Sequence, residues 1–454
     1  MQNNSSIEQL NWRGRWTFAA VLGGLAFGYG NFWRFGYNAS EYGGLAYVLC
    51  YFGFVLVLAW PLAIAETTIG RSGRASPITG VKRLAREAKG SRLWFLLGPA
   101  AILCSLIVLA YGSVVAGWAV EYGLVMWRGS LQNASLDMAV DHFVLQLGDY
   151  RQMAYWHSWI MASVVLVAAL PIHRGFGQIM RVLLPVMLLL LLAGNIAAYN
   201  LGDYESAMLR LFEMRSLELT LDGVMQALSQ ALYTLGIGMG VWMVYGSYAP
   251  NDRSISWNSA WAVVIDGVTS VFAALLIYGY IETQSIDPSG GIALMFVSLP
   301  YAMGQMPFSD IVGSLFYVLV VLASVTTCIA LMEPATRHLS HRWRVPRAIS
   351  ALVVGLVAWG LGILCIYSLD SSRNLSYGDR SAFVWLDLLS ANMLLPLCLM
   401  MIAAFVSWRL ERQQLLSAFK SNGRGLFWLW SGVLRYIAPA AAFLVLIFGI
   451  MQRL

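Results

Sequence analysis

The chain has 454 residues, 59% of them hydrophobic and 11% charged, with a mean hydropathy of +0.66. This excludes a soluble globular domain and predicts an integral membrane protein. The net charge of +6 is no sign of nucleic-acid binding, because the basic residues sit in short stretches beside apolar segments, where they set topology.

Apolar segments run over about 13–38, 42–70, 94–127, 158–172, 176–200, 221–246, 255–282, 308–338, 345–367, 381–408 and 427–451, which predicts about eleven transmembrane helices. None combines a charged start, a short apolar middle and a small-residue cleavage site, so the first is expected to be retained. No polar stretch is long enough for a soluble domain, so residues 1–454 are expected to form a single transmembrane domain. Cys50, Cys104, Cys328, Cys365 and Cys398 lie in apolar segments without zinc or redox spacing and are read as packing residues. Arg71, Arg74, Lys82, Arg83, Arg86, Lys89 and Arg92 follow the second segment, and Arg337, Arg342, Arg344 and Arg347 follow the eighth. Both loops are therefore expected in the cytoplasm. Asp137, Asp141, Asp149, Asp203, Glu205, Glu213, Glu218 and Asp222 fall in the alternate loops, expected outside. The N-terminus is then cytoplasmic and an eleventh helix leaves the C-terminus outside.

Two segments carry glycines where a membrane helix should be continuous. The first reads Gly24-Leu-Ala-Phe-Gly-Tyr-Gly-Asn-Phe-Trp-Arg-Phe-Gly36, and the sixth has Gly236, Gly238 and Gly240 at its centre. Glycine costs about 1 kcal/mol in a helix interior, and a freed carbonyl in hydrocarbon costs more unless something binds it. Small residues also serve close helix packing. Packing does not require Asn31 and Arg34 beside the first cluster, or Gln230 and Thr234 beside the second, and polar groups at this depth line sites. Matched interruptions in two halves of a chain point to a transporter's central site, where carbonyls favour a cation and free N–H groups an anion.

These stretches resemble the signature of the neurotransmitter:sodium symporters. The similarity extends through Trp12-Arg-Gly-Arg15, Gly28 to Phe35, Glu41-Tyr-Gly-Gly44, Pro61, Glu66, Gly70-Arg71, Ser113 to Trp118, Gln230 to Gly240, Gly290 to Pro300, Val325 to Pro334 and Asp387, in order over nearly the whole chain. The resemblance implies an all-α LeuT fold with a 5+5 inverted repeat and discontinuous first and sixth helices. Repeat one would span about 13–200 and repeat two about 221–408, with an extra helix at 427–451. It implies sodium-coupled symport of an amino acid or related compound by alternating access, with two Na⁺ ions.

Carried over by position, sodium site one would use Ala26, Asn31, Thr234 and Asp266. Site two would use Gly24, Phe27 and Ala323 with the hydroxyls of Thr326 and Thr327; oxygen ligands suit a hard cation. The same two hydroxyls, read from the residues alone, can equally bond back to their own helix. The substrate pocket would involve Ala26, Gly28, Gly30, Val108, Gly112, Tyr233, Thr234, Gly236, Met239, Thr327 and Leu331. Arg34 and Asp387 match an outer ion-pair gate with Tyr233 as its lid. Trp12, Ser247 and Tyr248 match the inner gate, whose usual arginine and aspartate are here Gln9 and His341, so a different inner latch is expected. Gly175 and Pro185 match a spacing at which the fifth helix unwinds in some members.

Departures from the family pattern narrow the function. Gly28 stands where monoamine members carry aspartate, which favours a substrate bringing its own carboxylate. With Gly236, Met239, Val108 and Leu331 the pocket reads as apolar and roomy, suited to a hydrophobic or aromatic amino acid. Gly112 replaces the family's substrate-binding tyrosine, and Tyr111 is turned about 100° from it. This keeps open a modified amino acid, another small zwitterion or amine, or a non-transporting sensor of the same fold. The chloride positions are Tyr51, Gln230 and Ser270, but Asp266 supplies a fixed negative charge nearby, which predicts chloride-independent transport and offers a group for proton antiport. No HExxH, GxSxG or P-loop motif occurs, so an enzyme is not expected, nor an organic cofactor, nucleic acid or obligatory protein partner. The compact layout resembles bacterial members and implies an inner membrane.

Overall fold

The computed structural model describes residues 15–172, 175–249, 254–284, 286, 290–369, 381–416, 418–419 and 423–451. Trp12 and Gln9 of the expected inner gate lie outside the described residues.

The first segment is two helices, α1 (Arg15–Ala26) and α2 (Arg34–Glu41). Then follow α3 (Leu45–Gly73), α4 (Pro77–Glu87), α5 (Arg92–Trp127), α6 (Leu136–Gly148), α7 (Tyr150–Ala169), α8 (Phe176–Leu201) and α9 (Tyr204–Phe212). The second half opens on another split pair, α10 (Leu221–Thr234) and α11 (Val241–Ser247). It continues through α12 (Ile255–Gln284), α13 (Leu294–Gly304), α14 (Ser309–Trp343), α15 (Arg347–Leu369) and α16 (Ala382–Arg409) to α17 (Gly425–Met451). Eight of these are continuous helices long and apolar enough to cross a bilayer. With α7 and the two split pairs they account for eleven crossings.

The packing exposes the internal symmetry. α1 and α2 lie against α12 in the second half, while α10 and α11 lie against α3 in the first; α5 packs along α14, and α7 along α15. The first two contacts are equivalent to each other when the halves are exchanged, and the last two each join an element to its counterpart, the signature of an inverted repeat. The chain therefore has the LeuT fold.

One expected boundary changes, and two local features add to the sequence reading. The fourth crossing begins at Tyr150, eight residues before the apolar stretch read from the sequence, because Asp149 caps the N–H groups of Arg151 and Gln152 at 3.1 Å and the buried His157 extends its inward face. The loops are not structureless: α4, α6 and α9 are short helices started by side-chain caps from Ser76, Ser135 and Asp203. Nor are all the basic residues of the expected cytoplasmic loops solvated, since Arg71 and Arg337 are buried.

Candidate functional site

The two breaks are built differently. Gly236, Gly238 and Gly240 all have positive φ, at 62°, 85° and 75°, so this backbone path needs glycine. Gly28 is extended instead (φ −85°, ψ 154°), and a Cβ on Gly30 would meet nothing within 4 Å. Those glycines keep space open rather than allow a turn.

Backbone groups freed by the breaks find specific partners. The Trp242 indole donates to the Leu235 carbonyl at 2.7 Å. The buried Glu66 on α3 accepts from the N–H groups of Gly238 at 2.6 Å and Met243 at 3.4 Å, capping the start of α11. The Asn31 amide donates to the Ala26 carbonyl at 3.0 Å. Close approach of α3 and α11 depends on Gly70, where a Cβ would stand 1.9 Å from the Met243 carbonyl oxygen.

All four residues expected in sodium site one converge. The Asn31 amide also donates to Asp266 Oδ1 at 3.2 Å, and the Thr234 hydroxyl contacts that oxygen at 2.6 Å and Asn31 Oδ1 at 3.1 Å. A carbonyl, an amide, a hydroxyl and a carboxyl oxygen thus share one spot in a membrane interior, a donor set that fits a hard monovalent cation. Of the site-two residues, Thr326 and Thr327 both donate to the Ala323 carbonyl at 2.9 Å, so the three are in contact and both hydroxyls back-bond to their own helix. Gly24 lies on α1, which packs on α14, and its open face is covered by Met180 of α8, whose Cε would stand 2.0 Å from an added Cβ. Phe27 is buried just beyond α1 and packs on Phe32, with ring centroids 6.0 Å apart.

The chloride positions have different hydrogen-bond partners. Tyr51 donates its hydroxyl to Asp266 Oδ2 at 2.9 Å, with Ser270 beside it, whereas the Gln230 side-chain oxygen accepts from Tyr47 at 2.8 Å and Asn38 at 3.1 Å.

Beside Asn31 and Thr234 is a small cavity, with about 40 Å³ of space for the centres of water-sized molecules. Its walls include every expected pocket residue except Ala26 and Gly112. Leu25, Asn31, Arg34 and Gln230 line it as well. Tyr111 does not line the cavity, but its hydroxyl lies 3.0 Å from that of Tyr233, which does. No sequence spacing announces that pair, because its members are far apart in the chain and meet only through the fold.

Arg34 Nη2 lies 3.4 Å from Asp387 Oδ1, and its guanidinium sits 4.8 Å from the rings of both Tyr233 and Trp33. The ion pair expected between these two residues is therefore formed, and a wide i→i+5 turn over Leu388–Leu394 follows Asp387. At the other end of the bundle Tyr248 is buried against Arg337, while His341 is exposed.

A valine at Gly30 would project into the cavity without straining the backbone. Gly30→Val is expected to leave thermal stability unchanged while weakening substrate uptake roughly tenfold or more. Melting curves and concentration-dependent uptake of the same preparation check this together.

A double-broken bundle whose breaks face a cation-type oxygen cluster and an apolar cavity is the architecture of a secondary transporter. The sequence matches the Sodium:neurotransmitter symporter family over residues 9–141 and 145–453, and the chain belongs to that family. It is 26% identical over 444 residues to the sodium-dependent transporter YhdH of Bacillus subtilis, covering 97% of this chain and 98% of that one. A sodium-dependent transporter of Haemophilus influenzae is 24% identical, with 98% and 99% covered. Among solved structures, MhsT in complex with L-phenylalanine superposes with a TM-score of 0.87 at 27% identity, over 97% of this chain and 99% of that one. The chain is accordingly a multi-pass, sodium-dependent symporter of a family of transporters, not enzymes.

Proposed function

We propose that the protein is a sodium-coupled symporter of a hydrophobic or aromatic amino acid, working by alternating access in a bacterial inner membrane with its N-terminus in the cytoplasm. The observation that carries this reading is the meeting of Ala26, Asn31, Thr234 and Asp266 beside a largely apolar cavity that has no carboxylate at Gly28. Na⁺ as co-substrate would be held by those oxygens. A second Na⁺ would be held by Ala323, Thr326 and Thr327 with the carbonyls of Gly24 and Phe27, the two hydroxyls turning their lone pairs to it. The amino acid's side chain would lie against Val108, Met239 and Leu331. Its charged head would face the open backbone of Gly28 and Gly30, with the Tyr233 hydroxyl, oriented by Tyr111, in the role of the tyrosine missing at Gly112. The similarity to a transporter bound to L-phenylalanine supports the same size class.

The hydrogen bonding at Asp266 supports chloride independence. The Tyr51 hydroxyl has one proton to give and Asp266 accepts it, so the donor an anion would need is engaged by a resident carboxyl group. Uptake by the purified protein in proteoliposomes under an inward sodium gradient, with gluconate replacing chloride, is expected to be unchanged. A large fall in gluconate would refute this part.

Competition by all common amino acids, together with taurine, betaine and aromatic amines, tests the substrate. Leucine, phenylalanine or tryptophan-sized competitors are expected to dominate. Saturable binding with no sodium-driven accumulation would instead make the chain a sensor.

A further inference from the structure

The half-helix α11 ends at the pole of the bundle that carries the basic loops, and its end is held by cations from two other parts of the chain. Arg337 of α14 donates through Nη1 to the Val244 carbonyl at 3.3 Å and makes a short hydrogen bond to the Ser247 hydroxyl. Its guanidinium carbon stands 3.9 Å from the centre of the Tyr248 ring. Arg74, just beyond α3, donates to the Ser247 carbonyl at 3.3 Å. Arg337 is only 5% exposed. Among the described residues it forms no ion pair, because the acid one turn before it, Glu333, is engaged by both guanidinium nitrogens of Arg347 at 2.9 and 2.5 Å.

A buried arginine without a carboxylate is costly unless other groups take its charge. Here the unpaired carbonyls of a helix end and the face of a tyrosine do so. Among the described residues, the hydrogen-bond and ring partners of Arg337 all belong to α11 or the residue after it, so its stabilisation exists only while α11 stays docked on α14. Its Nε is buried without a hydrogen-bond partner among the described residues, so the contacts to α11 and Tyr248 are what it has.

We propose that Arg337 is the cation of the inner gate: a positioning residue on α14 that latches α11 through Ser247, Val244 and Tyr248 and must release them for the inner side to open. The gating role rests on the alternating-access mechanism proposed for this chain. The latch itself is a contact between two helices that can be tested without transport. It also accounts for the sequence at this end, where Gln9 and His341 stand in place of an arginine–aspartate pair: a cation held by carbonyls and a ring needs no acidic partner, and His341, one turn past Arg337, can face outward.

The test is amide hydrogen exchange of the full-length protein, read by mass spectrometry in sodium and in potassium. In Arg337→Ala, exchange across 241–249 is expected to speed up roughly tenfold or more in potassium, with sodium restoring part of the protection, while 351–366 in α15 stays unchanged. Tyr248→Leu should give the same pattern, Tyr248→Phe, which keeps the ring and loses only the hydroxyl's bond to Glu333, a clearly smaller one, and the Arg337→Ala/Tyr248→Leu double variant should be no faster than Tyr248→Leu alone. Arg337→Lys keeps the charge over the ring but loses the fork, and should fall between wild type and alanine. Unchanged exchange at 241–249 in Arg337→Ala, or fully additive effects in the double variant, overturns the latch. Should Arg337→Ala not fold, exchange across 241–249 in Arg337→Lys and Tyr248→Leu decides the question by the same criterion. Wild-type protein without sodium-driven uptake would remove the gating role and leave the latch measurement standing.

Discussion

Replacing Asp266 with asparagine is expected to lower sodium-driven uptake about 100-fold at low sodium, equivalent to about 2.7 kcal/mol at 1.36 kcal/mol per decade. The carboxyl group accepts from Tyr51 at 2.9 Å, Thr234 at 2.6 Å and Asn31 at 3.2 Å. An amide offers one oxygen to those donors and turns two N–H groups against the rest. It also removes the only acidic side chain from the oxygen cluster proposed to hold the cation. At 4 Å and an effective dielectric of 20 such a charge pair is worth about 4 kcal/mol, so a 100-fold loss lies within what the geometry supplies. A second consequence is sharper. The neutral amide in Asp266→Asn would release the Tyr51 hydroxyl, beside Ser270, to donate elsewhere, so the residual uptake of this variant is expected to depend on chloride where wild-type uptake does not. Sodium titrations of uptake in chloride and in gluconate measure both effects. A variant with wild-type sodium affinity in gluconate would remove Asp266 from the cation site.

Much of this site is legible in the sequence because its parts are chemically out of place there. Glycines in the middle of two apolar segments, with Asn31, Thr234 and Asp266 nearby, are costly in hydrocarbon unless they serve a ligand, and the fold does bring those three side chains together. The order of helices follows from hydropathy for the same reason, since a bilayer admits few alternatives to a spanning helix. What stays hidden depends on partners remote in the chain. The positive charge of Arg337 reads as an ordinary cytoplasmic-loop residue until α11 is placed against it, 90 residues away in sequence. Tyr111 reads as misplaced by one helical position until Tyr233, 122 residues on, reaches its hydroxyl. The fourth crossing reads short because Arg151, Gln152 and His157 dilute the hydropathy of a helix whose inward face is nonetheless buried. Glu66 is the clearest case: a motif position with no visible task in one dimension, 172 residues from the backbone it caps.

That task predicts the second large effect. Glu66→Leu is expected to leave little folded protein, and Glu66→Gln to fold but to lose about tenfold in apparent sodium affinity. Both carboxyl oxygens of Glu66 are occupied, one by the Gly238 N–H and one by the Met243 N–H, in a side chain with no exposed surface. Leucine fills a similar volume but leaves two backbone donors unsatisfied away from water, at about 1–3 kcal/mol each, or roughly 2–6 kcal/mol in all. No other conformation rescues them cheaply. The alternating path through Gly236, Gly238 and Gly240 is fixed by positive φ angles, and Gly70 holds α11 too close to α3 for the helix to rotate and hide its N–H groups. Glutamine keeps one acceptor, so the break survives, more loosely held. Thr234 and Gly236 sit on the edge of that break, so a looser loop blurs the position of the one hydroxyl that α10 contributes to the oxygen cluster. The two variants therefore separate support of the fold from support of the site: thermal melting reads the first, and sodium titration of uptake reads the second. A Glu66→Leu protein that melts and transports like wild type would mean that the glycine path alone holds the break open, and that the carboxyl group merely occupies the space left to it.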